Sequence, residues 1–321
     1  MKIKQPRYWY TKKMRSLSYV LLPFSWLFGL IVLIRQQLYR YHIFQVKHFS
    51  VPVIVVGNIT IGGTGKTPFV IWLANFLRSQ GYKPGIVSRG AGGKQQVNPH
   101  EVNPQDAVSE VGDEALLLSQ RTACPLVIGI NRAKAVEYLL QQHDCDVVIS
   151  DDGLQHYRLG RAMEIVMVDA MRGFGNQQLL PAGPLREPLS RLEKVDLIVK
   201  TGETMALSPS HFVSVKNPQI TWPFPEMTGP IDVVAGIGHP ERFFTLLKQA
   251  GLEINEHIFT DHHCYTKKDF AKMTSYPILM TEKDAVKCRD FADERYWYLQ
   301  INTTVDVSVE KVLLNKLREA R

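Results

Sequence analysis

The chain has 321 residues, 38 Lys and Arg against 31 Asp and Glu, a net charge of +7 and 45% hydrophobic side chains, a composition that leaves room for two domains with ample core. The charge is polarised: no Asp or Glu precedes Glu101, so all the excess positive charge lies in the first hundred residues. The four cysteines, Cys124, Cys145, Cys264 and Cys288, have no short paired spacing, which argues against a disulfide framework or a zinc module and for reduced thiols in the cytosol.

A basic first third invites a nucleic-acid reading, but residues 17–34 in its middle carry no charge and include Tyr19, Phe24, Trp26 and Phe28. As a helix these eighteen residues would span about 27 Å, close to the hydrocarbon thickness of a bilayer. Lys12, Lys13 and Arg15 flank the segment on one side, Arg35 and Arg40 on the other, while Pro23 and Gly29 interrupt it. No small-residue cleavage site follows, so the spacing predicts a retained anchor over residues 1–45 that meets an anionic membrane surface, spanning it or lying in it, with no nucleic-acid partner. A buried core helix is the alternative.

Residues 51–57 form an apolar β-branched run that leads into Asn58-Ile59-Thr60-Ile61-Gly62-Gly63-Thr64-Gly65-Lys66-Thr67-Pro68. That is the layout of a phosphate-binding loop: glycines let backbone N–H groups curl around phosphate oxygens, Lys66 reaches the β/γ-phosphates, and the Thr67 hydroxyl binds Mg²⁺. Thr60 stands where the usual pattern has glycine. Pro68 fits a first helical turn, and Phe69, Val70, Leu73, Phe76 and Leu77 recur at helical spacing behind it. The chain is therefore expected to handle a nucleoside triphosphate, with ATP and Mg²⁺ as its cofactors and 60–68 as the cofactor-binding stretch.

Further along, 146–150 reads as a short strand that delivers Asp151-Asp152-Gly153 at its carboxyl end, where carboxylates hold Mg²⁺ directly or through water. Strand patterns at 85–88, 126–129, 146–150, 164–169 and 195–200 alternate with helical ones, predicting an α/β fold: a mostly parallel, P-loop NTPase-like sheet flanked by helices over 46–205. Five prolines between 202 and 230 suggest a linker over 206–230. A smaller α/β unit is expected over 231–321, with a strand at 231–235, a helix at 240–250, a strand at 277–280, a capping box at Thr281-Glu282-Lys283-Asp284 and a last helix from 307.

The loop is one of several motifs that come in a fixed order: 60–68, Ser88-Arg89-Gly90, Val111-Gly112-Asp113-Glu114, Asp151-Asp152-Gly153-Leu154-Gln155-His156-Tyr157-Arg158, Leu180-Pro181-Ala182-Gly183-Pro184-Leu185-Arg186-Glu187, Gly236-Ile237-Gly238-His239-Pro240 and 280–287. Over essentially its whole length the chain thereby resembles the tetraacyldisaccharide 4′-kinases, the lipid A 4′-kinase family, in which Thr is tolerated at the position of Thr60. The resemblance implies transfer of the γ-phosphoryl group of ATP to the 4′-hydroxyl of a lipid A disaccharide 1-phosphate precursor, at the cytoplasmic face of the inner membrane of a Gram-negative bacterium, with no obligate protein partner. It also implies Asp113 as the base, supported by a histidine for which we take His262. From its sequence context alone Asp113 is equally well a helix N-terminal residue. Together with Lys66 these are the expected catalytic groups, Thr67, Asp151 and Asp152 the metal-associated ones, and Arg89, Arg132, Arg186 and Glu187 candidate phosphate or sugar contacts. Ala91 replaces the aromatic residue usual after Ser-Arg-Gly, so no stacking contact is expected there. Two competing readings are a membrane-associated P-loop ATPase that uses hydrolysis as a switch without a lipid acceptor, and a protein S-acyltransferase suggested by Asp261-His262-His263-Cys264. The second lacks the multiple spans and cysteine-rich module that such an enzyme needs.

Overall fold

The structure is a computed structural model that describes residues 6–10, 16–94, 98–273 and 277–319. Lys12, Lys13 and Arg15, named above as flanking charges, lie outside the described residues. In chain order come α1 (Ser16–Arg40), β1 (Val53–Gly57), α2 (Lys66–Ser79), β2 (Pro84–Ser88), β3 (His100–Glu101), α3 (Val108–Val111), α4 (Asp113–Thr122), β4 (Leu126–Ile128), α5 (Arg132–Gln142), β5 (Val147–Asp151), β6 (Met163–Asp169), β7 (Leu197–Thr201), β8 (Met205–Ser214), β9 (Thr221–Pro223), β10 (Ile231–Ala235), α6 (Pro240–Gln249), β11 (Ile254–Ile258), β12 (Ile278–Thr281), α7 (Glu282–Cys288), β13 (Tyr296–Val305) and α8 (Val307–Glu319).

The strands form one sheet in the order β11-β10-β12-β13-β8-β7-β6-β1-β5-β2-β4-β3, with β9 against β8. Its pairings are parallel except β3/β4, β8/β9 and β8/β13. Every residue of β1 and β5 is buried, as expected of central strands covered on both faces. Successive β1 side chains point to opposite faces: Ile54 and Val56 join Phe69, Val70, Leu73 and Leu77 of α2 with Leu313 and Leu317 of α8, while Val53 and Val55 join Ala135, Val136 and Leu139 of α5.

The stretch 206–230 departs from the expected linker, because β8 and β9 lie within it. β8 pairs with β13 from Ser214↔Trp297 to Met205↔Val305, and this joins the two halves into one continuous sheet. Pro209 misled the reading; it lies where the register shifts between Leu299 and Ile301, an irregularity that tolerates a missing N–H.

In α1 the burial pattern is inverted. Ser18 and Ser25 are buried, whereas Phe24, Trp26, Leu27 and Ile31 are each more than half exposed. Only 11% of its apolar window is buried, which removes the core-helix alternative and leaves a helix long and apolar enough to cross a bilayer. Ser25 docks it: its hydroxyl donates to the Leu179 carbonyl at 2.8 Å and accepts from the Ala182 N–H at 2.9 Å. Gly29 admits Leu179, which would stand 2.8 Å from any added Cβ.

Candidate active site

Strand β1 ends at Gly57 and α2 opens at Lys66, with Gly65 in the left-handed region at φ 81° as the residue that turns the loop into the helix. The loop between them is pinned from outside. Ile61 N–H donates to the Pro184 carbonyl at 2.8 Å, Arg186 N–H donates to the Ile59 carbonyl at 2.6 Å, and the Thr201 hydroxyl donates to the Thr64 carbonyl at 2.9 Å. The Asn58 amide reaches across to the Gly62 carbonyl at 3.2 Å. These contacts occupy the Ile61 N–H and the Ile59, Gly62 and Thr64 carbonyls but none of the N–H groups of 62–65, which stand at the start of a 14-residue helix where an anion binds.

Beside it, β5 is hydrogen-bonded to β1 in parallel, with Val56 opposite Asp151, so Asp151 and Asp152 emerge next to the loop. Asp151 is buried and accepts from the Ser88 hydroxyl at 3.0 Å; burial, together with the charges of Glu114 and Asp152, pushes its carboxyl up to about 6. Asp152 is opposite in character. Burial would raise it as well, but Lys66 at 3.4 Å and Arg186 at 3.5 Å from Oδ1 outweigh that and hold it at about 2. Oδ1 of Asp152 is thus buried between two cationic side chains at ion-pair distance. The hydroxyl of Thr67 and these carboxylates make an all-oxygen donor set, which fits Mg²⁺. Among the described residues no cluster of three or more His, Cys, Asp or Glu forms a metal cage; the fit is therefore to a cation that shares its coordination with phosphate oxygens.

Across the strand ends lies a second cluster. Gly112, at φ 89°, packs so tightly on the 90–93 turn that an added Cβ would lie 2.3 Å from the Ala91 carbonyl oxygen, and this places Asp113 at the first turn of α4. Asp113 is 2% exposed and lies against His262, whose Nδ1 is 2.9 and 2.8 Å from its two carboxylate oxygens. Burial disfavours its charge, but the hydrogen bond from His262 and the Lys283 ammonium outweigh it, and the carboxyl is held below its ordinary value. His262 is in the left-handed region at φ 58°, an uncommon conformation for a non-glycine residue and one that functional sites retain. The charge of Glu114, next to Asp113, raises the proton affinity of Asp151, so the two clusters are electrostatically linked.

Of the candidate phosphate or sugar contacts, Arg186 faces the cleft through Asp152, and Arg89 is exposed at the end of β2. Arg132 is not at the surface. It is 1% exposed and donates to the Gly129 carbonyl and, at 3.5 Å, to the Asp151 carbonyl, so it props the aspartate turn from beneath; burial lowers its pKa to about 10 despite Asp151 and Asp152. Glu187 is likewise interior, at 1% exposed, and accepts from Gln36 at 3.2 Å, Gln155 at 2.8 Å, Tyr157 at 2.7 Å and Arg191 at 3.1 Å. In this arrangement it is a hub that joins α1 to the segment after Asp151-Asp152-Gly153, and Gln155 continues the link to the Asn58 carbonyl at 3.1 Å. Sequence reasoning passed over Asn58, Ser88, Thr201 and Lys283, whose roles depend on what the fold sets beside them.

Residues 17–318 match the family model described as Tetraacyldisaccharide-1-P 4'-kinase. The chain is 49% identical over 307 residues to the tetraacyldisaccharide 4'-kinase of Methylobacillus flagellatus, covering 93% of this chain and 91% of that one. It is 46% identical over 320 residues to that of Nitrosococcus oceani, covering 98% and 94%. A crystal structure of LpxK from Aquifex aeolicus in complex with ATP is similar with a TM-score of 0.78 at 28% identity, over 94% of this chain and 99% of that one. With a family match that takes in α1, the loop, the aspartate turn and the Asp113–His262 pair together, the chain belongs to the tetraacyldisaccharide-1-P 4'-kinase family.

Proposed function

We propose that this kinase moves the γ-phosphoryl group of ATP to the 4′-hydroxyl of a tetraacylated glucosamine disaccharide 1-phosphate, at the cytoplasmic face of the inner membrane. The acceptor oxygen attacks the γ-phosphorus, the bond from phosphorus to the β,γ-bridging oxygen breaks, and ADP leaves with that electron pair. Backbone N–H groups of 62–65 and the Lys66 ammonium hold the triphosphate and meet the charge that develops on its oxygens. Asp113 takes the hydroxyl proton, and its depressed proton affinity keeps it ionised and ready at neutral pH. His262 orients that carboxylate from 2.8 Å.

Thr67, Asp151 and Asp152 would hold Mg²⁺, which when bound supplies neutralising charge to the β- and γ-phosphate oxygens. Asp152 balances Lys66 and Arg186 at the same turn. The exposed apolar face of α1 supports membrane attachment, which suits an acceptor whose acyl chains stay in the bilayer. The observation that carries this reading is the buried Asp113 carboxylate paired with His262 in the same chain as the phosphate loop.

The test is direct: purified protein in detergent is incubated with Mg²⁺, γ-labelled ATP and the tetraacylated disaccharide 1-phosphate. The reading expects label on the lipid in proportion to ADP formed. ADP formation that ignores the lipid, with no labelled lipid in any detergent, rejects it.

A further inference from the structure

Lys283 joins the two halves of the cleft. Its Nζ lies 2.9 Å from Glu114 Oε1, 3.5 Å from Asp261 Oδ1 and 3.9 Å from Asp113 Oδ2, with the side chain 18% exposed. Two of these acids open α4; the third precedes His262 in the C-terminal half. Three carboxylates thus converge on one ammonium group and one imidazole.

The helix that carries Lys283 is fastened on both sides of it. Glu282 is paired with Arg121 near the end of α4. Asp284, fully buried, accepts from Gly236 N–H at 2.9 Å, the Tyr265 hydroxyl at 3.2 Å and the Thr281 hydroxyl at 2.7 Å, and pairs with Lys287 at 2.6 Å. Thr281 caps the helix by accepting from Asp284 N–H at 3.2 Å. The expected capping motif is therefore also a three-residue fastener, and Lys283 is aimed by its neighbours.

We propose that Lys283 is a positioning residue for phosphoryl transfer: by bridging Asp113, Glu114 and Asp261 it fixes the acceptor-side carboxylate and the turn that presents His262. This rests on the reading of Asp113 as the base. Asp113 is faced by Glu114 on α4, by Asp261 and His262 on the segment after β11, and by Lys283 and Lys287 on α7. Removal of the Lys283 cation leaves like charges to raise the proton affinity of Asp113 and to push Asp261, with His262 beside it, away from α4.

The experiment compares wild type, Lys283→Met and Lys283→Arg in the lipid assay across pH, beside affinity for a fluorescent ATP analogue. Lys283→Met is expected to lower kcat about tenfold or more and to move the acid limb of kcat upward by about one pH unit. Nucleotide affinity is expected to stay within about twofold, and Lys283→Arg to recover most of the rate. A Met variant with an unmoved acid limb, or an Arg variant no better than Met, overturns the proposal. Should Lys283→Met fold poorly, Asp261→Asn added to it relieves the repulsion and should restore rate and solubility together; a double variant as impaired as the single one also overturns it. Absence of lipid phosphorylation by the wild type would instead reject the function proposed above.

Discussion

The phosphate loop and the Asp113–His262 junction serve one cleft but are assembled differently. The loop is a single run from Gly57 to Pro68, closed by its own turn and by contacts on three carbonyls and the Ile61 N–H. The junction draws Asp113 and His262 from positions 149 residues apart, and it exists because β8 and β13 carry the sheet from one half into the other. On the proposed roles, the difference teaches that nucleotide binding is a local property of this chain, whereas acceptor activation is a property of the whole sheet. Changes at the loop should therefore disturb nucleotide affinity and rate together, and changes at the junction should disturb rate alone.

Within the loop and its supports, the largest effect is expected from Lys66→Ala, which removes the cation proposed to sit over the phosphates. Turnover should fall by about a hundred- to a thousandfold, with weakened binding of a fluorescent ATP analogue in the same preparation. Unchanged nucleotide affinity would break the comparison at its simpler end. Next is Glu187→Ala, which leaves Arg191 with Glu164 alone and strips the acceptor from Gln36, Gln155 and Tyr157 behind the loop; it should cost about 3 kcal/mol in denaturant titration in detergent. Ser25→Ala, which removes the two hydrogen bonds that dock α1, should cost about 1 kcal/mol by the same titration and leave vesicle sedimentation unchanged.

A further effect concerns pH. Burial, and then the charges of Arg132, Arg35, Arg161 and Arg89, depress the proton affinity of His156 to about 4. The unfolded chain then binds a proton that the folded one refuses, so the histidine's contribution to stability is full above the ordinary value of 6.5 and declines as pH falls from there towards 4. Denaturation midpoints measured across that window should fall less steeply in His156→Gln; equal slopes would contradict the assignment.

What the sequence made legible follows the same division. The strand, the glycine turn and the helix behind it are neighbours in the chain, so spacing alone revealed them; likewise the β5 aspartates, since a short apolar run ends at them. In the sequence Arg132 and Glu187 are candidate phosphate or sugar contacts, and only the fold supplies the Asp151 carbonyl to one and the Gln36, Gln155 and Tyr157 donors to the other. The prolines of 202–230 hid β8, whose partner β13 lies some ninety residues further on. Lys283 looked like a helix-capping neighbour, and its three acids come from elements that spacing cannot bring together.

Asp113→Asn tests the central claim most directly, with ATP-analogue affinity and lipid phosphorylation measured on one preparation. The account predicts nucleotide affinity within about twofold of wild type and turnover reduced by about a hundred- to ten-thousandfold. Turnover near wild type, or nucleotide affinity lost along with turnover, would contradict it.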